Sequence, residues 1–485
     1  MSVVSFEFLG FLAALAVVYY VLPMRVRKWA LLAGSAAFWL LCGLQGAAYR
    51  TAETLLIWGC ARLMGRFSER RGVCRALLVG AMVLMKALAQ LQALPDGLLV
   101  PIGLSYFTFQ SVGYLIDVYR GKITPEKNYA KVLLFAGFFP QMTQGPITTW
   151  KQLMPQLDSP HRLSPNGFVS GVFLMAWGFF KKLVIADRLM PVVSVLVAAA
   201  QELPGWLVLA TAAMYAIVLY ADFSGGIDII RGAAELLGID LPENFRRPFF
   251  AASIADYWRR WHISLGAWMR DYVFYPFALT RPVSRMSKAL KKKAGTHIAR
   301  ALPAALGNIL VFLLVGVWHG AQMNYVLWGL YNGVILAFTA LVEPVYKRMN
   351  DRLPRLTASG GFHVFRILRT FLVVNIGWYF DRCVRVCDAF AMLHKTFFAF
   401  NAQQLFDGTL DTLGLAAKDY RILLVATILL FVVSLMQERG VKIRDFVLSR
   451  PLALRWAVLS AFIFFVLATF GGSNVAASGF MYAVF

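Results

Sequence analysis

ILVFLLVGVWHG, residues Ile309 to Gly320, is an apolar run that ends on a histidine. It holds no charged residue and does not alternate, so in lipid it reads as helix and not as a barrel strand. Comparable runs recur along all 485 residues, which are 59% hydrophobic and 15% charged and include 39 Phe. That balance excludes a soluble globule. The fold class expected is an all-α polytopic membrane protein. At roughly 20 apolar residues per span, the runs accommodate roughly 11–13 transmembrane or re-entrant helices. No repeat, linker or low-complexity stretch divides the chain, so residues 1–485 are read as one integral-membrane domain.

Working outward, the net charge of +23 raises the question of nucleic acid. The Lys and Arg residues lie in short segments between apolar runs, which is the pattern that orients membrane proteins, so no nucleic-acid partner is expected. The first apolar run, Phe6 to Pro23, has no Lys or Arg before it and Arg25, Arg27 and Lys28 after it. This order is the reverse of a signal peptide and predicts a retained helix with its N-terminus outside. Arg66, Arg70, Arg71 and Arg75 follow a third span, and Arg120, Lys122 and Lys127 a fifth, so odd spans end in the cytoplasm. The densest basic loop, Arg281 to Arg300, precedes the opening stretch. Between Asn128 and Phe277 the runs are broken by Pro140, Gly145, Pro146, Pro242 and Pro248, which predicts re-entrant segments lining a cavity. From His363 to the C-terminus the patterning is looser, and Cys383 to Tyr420 is its least patterned loop.

Two histidines stand among aromatic residues: His319, and His262 in WRRWHISLGAWMRDY (Trp258 to Tyr272). Read as a helix from Ser253, the second stretch sets Trp258, Trp261, Leu265 and Trp268 on one face and Arg259, His262 and Arg270 on another, with Asp256 in reach of Arg260. Such an element suits a membrane-surface helix with Arg on lipid phosphates, and equally a grip on a phosphate-bearing donor. His319 has no carboxylate within several residues. From spacing alone it is either a core histidine bonded to a backbone carbonyl or a buried neutral base able to take a proton from a hydroxyl. Asp228, Arg231 and Glu235, at i, i+3 and i+7, form one ion network on a helix face, whereas Asp222, Ser224, Gly225 and Gly226 read as a break where backbone comes close. The five cysteines form no CxxC, and there is no HExxH, no GxSxG and no third ligand beside His262 and His319, so no metal is expected. His161, His297, His363 and His394 read as solvated.

Seven blocks then become recognisable in order: PIGLSYFTFQSVGYLIDVYRG (Pro101 to Gly121), FFPQMTQGPI (Phe138 to Ile147), FFKKLVIAD (Phe179 to Asp187), ADFSGGIDI, PENFRRPF, YWRRWHISLGAWMRDYVFYP and VGVWHGAQMNYVLWGLYNG (Val315 to Gly333). Together they resemble the membrane-bound O-acyltransferase superfamily, with a core at about 101–345, and within it the bacterial branch of alginate O-acetylation and teichoic-acid D-alanyl transfer. The likeness is nearer to the alginate type. It departs at ADFSGGIDIIRGAAELLG and in the tail GFMYAVF, a loose version of an aromatic family ending.

The resemblance implies a ring of helices around a central tunnel, the donor entering from the cytoplasm and the acceptor from the opposite side. It implies that His319 is the catalytic histidine and His262 the second histidine of the site. Arg259, Arg260 and Lys182 are candidate donor-phosphate contacts, with Trp261, Asn332 and Asp222 as further substrate- or donor-binding candidates. The function expected is transfer of an acyl group, acetyl above all, for O-acylation of a cell-envelope polysaccharide, in the bacterial cytoplasmic membrane. No cofactor is expected to be bound; the donor substrate expected is acetyl-CoA. The partners expected are membrane lipid, an extracytoplasmic SGNH-type acetyltransferase and the polysaccharide acceptor. The alternative is D-alanyl transfer from a carrier protein to teichoic acid, and a remoter one is a polysaccharide or lipid transporter, which broken helices and intramembrane charge would also suit.

Overall fold

The computed structural model describes residues 1–91, 104–142, 144–159, 161–320, 322–383, 385–401, 403, 417–471 and 479–481. Among them every regular element is helical, apart from an isolated antiparallel bridge between Phe245 and Trp261. The start of the block Pro101 to Gly121 and the last four residues of the tail lie outside the described residues.

Six described helices are long and apolar enough to cross a membrane: Pro165–Ala198, Gly205–Leu236, Arg281–His319, Met323–Leu341, Ala417–Glu438 and Leu452–Phe470. Their outer faces are apolar; Leu424 is 62% exposed and Phe464 71%. A soluble protein does not tolerate such surface, and lipid covers it. The chain is an all-α multi-pass membrane protein. The six are fewer than the helices expected because others are short or carry charge: Phe6–Val21 has 16 residues, and Leu44–Arg66 includes Arg50, Glu53 and Arg62.

Tertiary contacts group the chain into two compact units, residues 1–184, 222–243 and 442–485, and residues 185–221 and 244–441. In the first unit, Ser5 caps the opening helix by accepting from the Phe8 backbone N–H at 3.3 Å. Phe8, Phe38 and Phe139 pack as one aromatic cluster, with Phe38 and Phe139 centroids 5.7 Å apart. Helices 165–179 and 222–236 meet at glycines. A Cβ on Gly178 would stand 2.5 Å from the Gly225 carbonyl oxygen, and one on Gly226 would overlap the Gln144 amide. The sequence expectation of close backbone approach at Gly225 and Gly226 therefore holds, but the expected break does not. Helix Gly205–Leu236 runs through Asp222 to Gly226 unbroken, because small residues let a neighbour in without interrupting the hydrogen-bond ladder.

In the second unit the segment 296–319 packs along Met323–Leu341 through the same device. A Cβ on Gly316 would meet the Tyr325 carbonyl oxygen at 2.4 Å, and one on Gly329 the Phe312 carbonyl oxygen at 2.3 Å. Gly329 and Gly333 form a GxxxG pair on the inner face. The basic stretch read as a loop is corrected here: Arg281–His319 is helical on both sides of Gly295, whose φ of 83° turns the chain. Ser287 bonds the Ala299 carbonyl at 2.8 Å, so the basic arm folds back on the helix that carries His319. Likewise, the stretch after Cys383 contains a helix, Val386–Phe398; residues 404–416 lie outside the described ones.

Candidate active site

The element carrying His262 is not one continuous helix. Ser253 caps helix Ile254–Arg260, the chain straightens at Trp261, and His262 takes φ 46° and ψ 54° before helix Ile263–Met269 begins. A left-handed conformation is costly for a residue with a Cβ, and it survives only where the surroundings over-determine it. Here the block PENFRRPF does so. The Arg246 backbone N–H donates to the Arg260 carbonyl at 2.9 Å, and the Ile263 N–H to the Asn244 carbonyl at 3.0 Å. The Asn244 side-chain oxygen accepts from both the backbone N–H and the hydroxyl of Ser264, each at 2.9 Å. His262 Nδ1 lies 3.3 Å from that same oxygen. Because the oxygen can only accept, Nδ1 carries the proton and the lone pair falls on Nε2. The break also changes the two-face reading: Trp261 stacks on Tyr257 at 5.6 Å and is buried against Phe245, while Arg259 points to the surface.

His262 lines a cavity of about 450 Å³, together with Arg259, Trp258, Trp261, Arg270 and Asn308. His319 closes the C-terminal end of its helix and is buried. Its ring packs edge-on to Trp328 at 5.1 Å and lies 6.1 Å from Tyr325. Trp328 in turn contacts Trp258 at 5.8 Å, joining His319 to the aromatic wall of the His262 cavity. Val315, one turn before His319 on the same helix, lines the His262 cavity as well. The arrangement is thus a pair of buried rings in an aromatic enclosure, beside a cavity with arginine at its rim, and a neutral imidazole so placed can exchange a proton with a hydroxyl.

The other sequence candidates divide. Arg259 and Trp261 line the cavity. Arg260 does not; it pairs with Asp256 at 3.0 Å and with Glu438 at 2.9 Å, and Arg247 shares Glu438 at 2.7 Å. Asn332 is buried with its amide bonded to the Trp328 carbonyl one turn back. Lys182 and Asp222 belong to the first unit, where they form a fully buried ion pair at 2.7 Å. Lys182 also donates to the Gly479 carbonyl at 3.1 Å and lies 4.7 Å from the Phe480 ring, and Asp222 accepts from the Met481 backbone N–H at 3.0 Å. The pair seats the C-terminal segment. The network expected along one helix face is present in part, Asp228 reaching Arg231 at 4.0 Å, and extends to other elements: Asp228 pairs with Lys181 at 2.7 Å and Glu235 with Arg444 at 2.9 Å. Two of the four remaining histidines are half-buried on backbone carbonyls, His161 on Gln156 and His297 on Leu341. The residue missed from sequence was Asn244; its signal was an amide in a proline-bounded loop just ahead of the WRRWH block.

A buried histidine lining a cavity at a broken helix, with a second one joined to the cavity wall through Trp328, sets proton-exchanging groups inside a helical membrane protein. The chain belongs to the membrane-bound O-acyltransferase family, whose family model matches residues 122–376. It is 32% identical over 369 residues to the probable alginate O-acetylase AlgI of Pseudomonas fluorescens, covering 74% of this chain and 68% of that one. It is 29% identical to the peptidoglycan O-acetyltransferase of Helicobacter pylori, over 61% of this chain and 56% of the other. With the teichoic acid D-alanyltransferase of Bacillus subtilis the identity is 27%, over 59% and 69%. The aligned regions of these three span between 56% and 69% of the relatives' own length.

Proposed function

We propose that the protein moves an acetyl group from cytoplasmic acetyl-CoA across the bacterial cytoplasmic membrane for O-acylation of a cell-envelope polysaccharide. His319 acts as the base and His262 as its neighbour at the cavity. The hydroxyl oxygen attacks the thioester carbonyl carbon while the neutral His319 ring takes the hydroxyl proton; the C–S bond breaks, and the departing thiolate recovers that proton, leaving an ester and free CoA. Arg259, at the cavity rim, steers the donor phosphates. In this reading the N-terminus lies outside, and an SGNH-type extracytoplasmic acetyltransferase passes the group on to the acceptor.

The observation carrying the proposal is that two histidines 57 positions apart in sequence lie in one unit, His262 lining the aromatic cavity and His319 joined to its wall through Trp328. Names of relatives point the same way, since those at about 32% identity are described as alginate O-acetylases. The test is release of acetate by mild alkali from the envelope of cells carrying the wild-type or the His319→Ala protein. Equal ester in both strains sinks the reading.

One feature favours a second reading, D-alanyl transfer from an acyl carrier protein. Arg281, Arg285, Lys288, Lys291, Lys292 and Lys293 are all exposed on the arm before Gly295, a surface suited to an acidic carrier. Purified protein offered labelled acetyl-CoA or labelled D-alanyl carrier separates the two donors.

A further inference from the structure

A second cavity of about 630 Å³ lies in the same unit, within the size range of ligand sites. It is walled by the end of helix Met323–Leu341, by helix Glu343–Arg352 and by the start of helix Gly360–Arg382. One side is apolar, formed by Ile335, Phe338 and Val373. The other presents Arg366 and Arg369, one turn apart on the same helix face. Arg369 gives one N–H to the Ala252 carbonyl at 3.2 Å. The half-buried Arg366 guanidinium has no hydrogen bond or ion pair among the described residues, and Glu343, the acid in the lining, pairs with neither arginine.

We propose that this cavity binds a phosphate-bearing amphiphile, with the phosphate on Arg366 and Arg369 and the chain against the apolar wall. A half-buried arginine without a counter-charge is open to an anion, and a phosphate matches its planar fork in both charge and shape. Phospholipid and acyl-CoA both carry this chemistry. Ala255, Asn308 and Leu336 line this cavity and the His262 cavity alike, so a chain anchored here by its phosphate extends towards His262. The acyl-CoA case rests on the acyltransferase reading above; the phospholipid case stands without it.

The test titrates purified full-length protein in detergent with coenzyme A and, separately, with dihexanoyl phosphatidylglycerol. Three proteins are compared: wild type, Arg366→Ala/Arg369→Ala, and Ala340→Phe, which fills the cavity without altering charge. At least one ligand binds the wild type, and its affinity falls about tenfold or more in both variants, as expected when charge-assisted hydrogen bonds or the space for the chain are lost. Loss confined to coenzyme A assigns the site to the donor, and loss confined to the lipid assigns it to a headgroup. No binding to wild type, or equal binding to all three proteins, overturns the proposal. If the double variant does not elute as a single species, Ala340→Phe and Arg366→Lys carry the comparison, the latter retaining partial affinity. Wild-type acylation by His319→Ala, alongside binding that depends on Arg366, removes the role given to His319 and leaves the site standing.

Discussion

The molecule contains two kinds of buried polar centre. In the first unit Lys182 and Asp222, with side chains 0% and 2% exposed, hold each other at 2.7 Å and spend further capacity on the backbone of Gly479 and Met481. In the second unit His262 and His319 are buried among aromatic rings, and His262 opens on a cavity. Charge buried away from water must be paired and hydrogen-bonded, so a centre of that kind is committed to holding the chain together. An imidazole avoids that demand by staying neutral, and can sit beside a cavity with proton-exchange capacity intact. Burial of polar groups therefore marks two opposite duties here, and the partners distinguish them.

Mutation should separate these duties. His319→Ala is expected to leave insertion and elution in detergent unchanged while lowering acyl transfer by roughly 10²–10⁴-fold, the contribution of one positioned acid–base group, measured as alkali-released ester. Asp222→Ala should do the reverse: it strands a buried ammonium at a cost of about 3–5 kcal/mol, read as a lower melting temperature and reduced yield. The double change Lys182→Met/Asp222→Leu should recover much of that loss. If Asp222→Ala keeps full stability and loses only activity, the contrast between the centres collapses.

Asn244→Ala tests what holds His262. It removes the acceptor shared by Ser264 and His262 and should cost about 1–3 kcal/mol of stability together with a partial loss of rate. Full activity in this variant would mean that the left-handed turn at His262 holds without it. Smallest of all is the difference between neighbouring arginines. Arg260→Ala breaks the contacts to Asp256 and Glu438 and should cost about 1 kcal/mol, whereas Arg259→Ala, whose side chain is 73% exposed, should change stability by less than about 0.5 kcal/mol and show its effect only in the apparent KM for donor.

Much of this was legible in the chain. Composition and the length of the apolar runs required a helical membrane protein, since lipid leaves a backbone no other way to satisfy its N–H and C=O groups apart from a closed barrel. The aromatic neighbours of His262 and His319 marked both histidines, and the glycines at 225 and 226 marked a close approach. Harder to read were places where local pattern and tertiary demand disagree. The WRRWH block has helical spacing throughout, yet bonds from Asn244 and Arg246 outside that block hold it open at Trp261 and His262. The basic stretch before Gly295 reads as loop by charge and folds as helix, because Lys and Arg are good helix formers once a neighbouring helix supports them.

The sequence by itself determined the membrane class, the helices and which residue types were candidates for chemistry, because hydrophobic length and periodicity are local properties of a chain in lipid. Only the tertiary structure decided what each candidate does: that Lys182 and Asp222 seat the C-terminal segment, that Arg260 is spent on Glu438, and that Asn244 sets the orientation of His262. Those outcomes depend on partners brought together from distant positions, and the free energy of a buried polar group is set by the partner it finds.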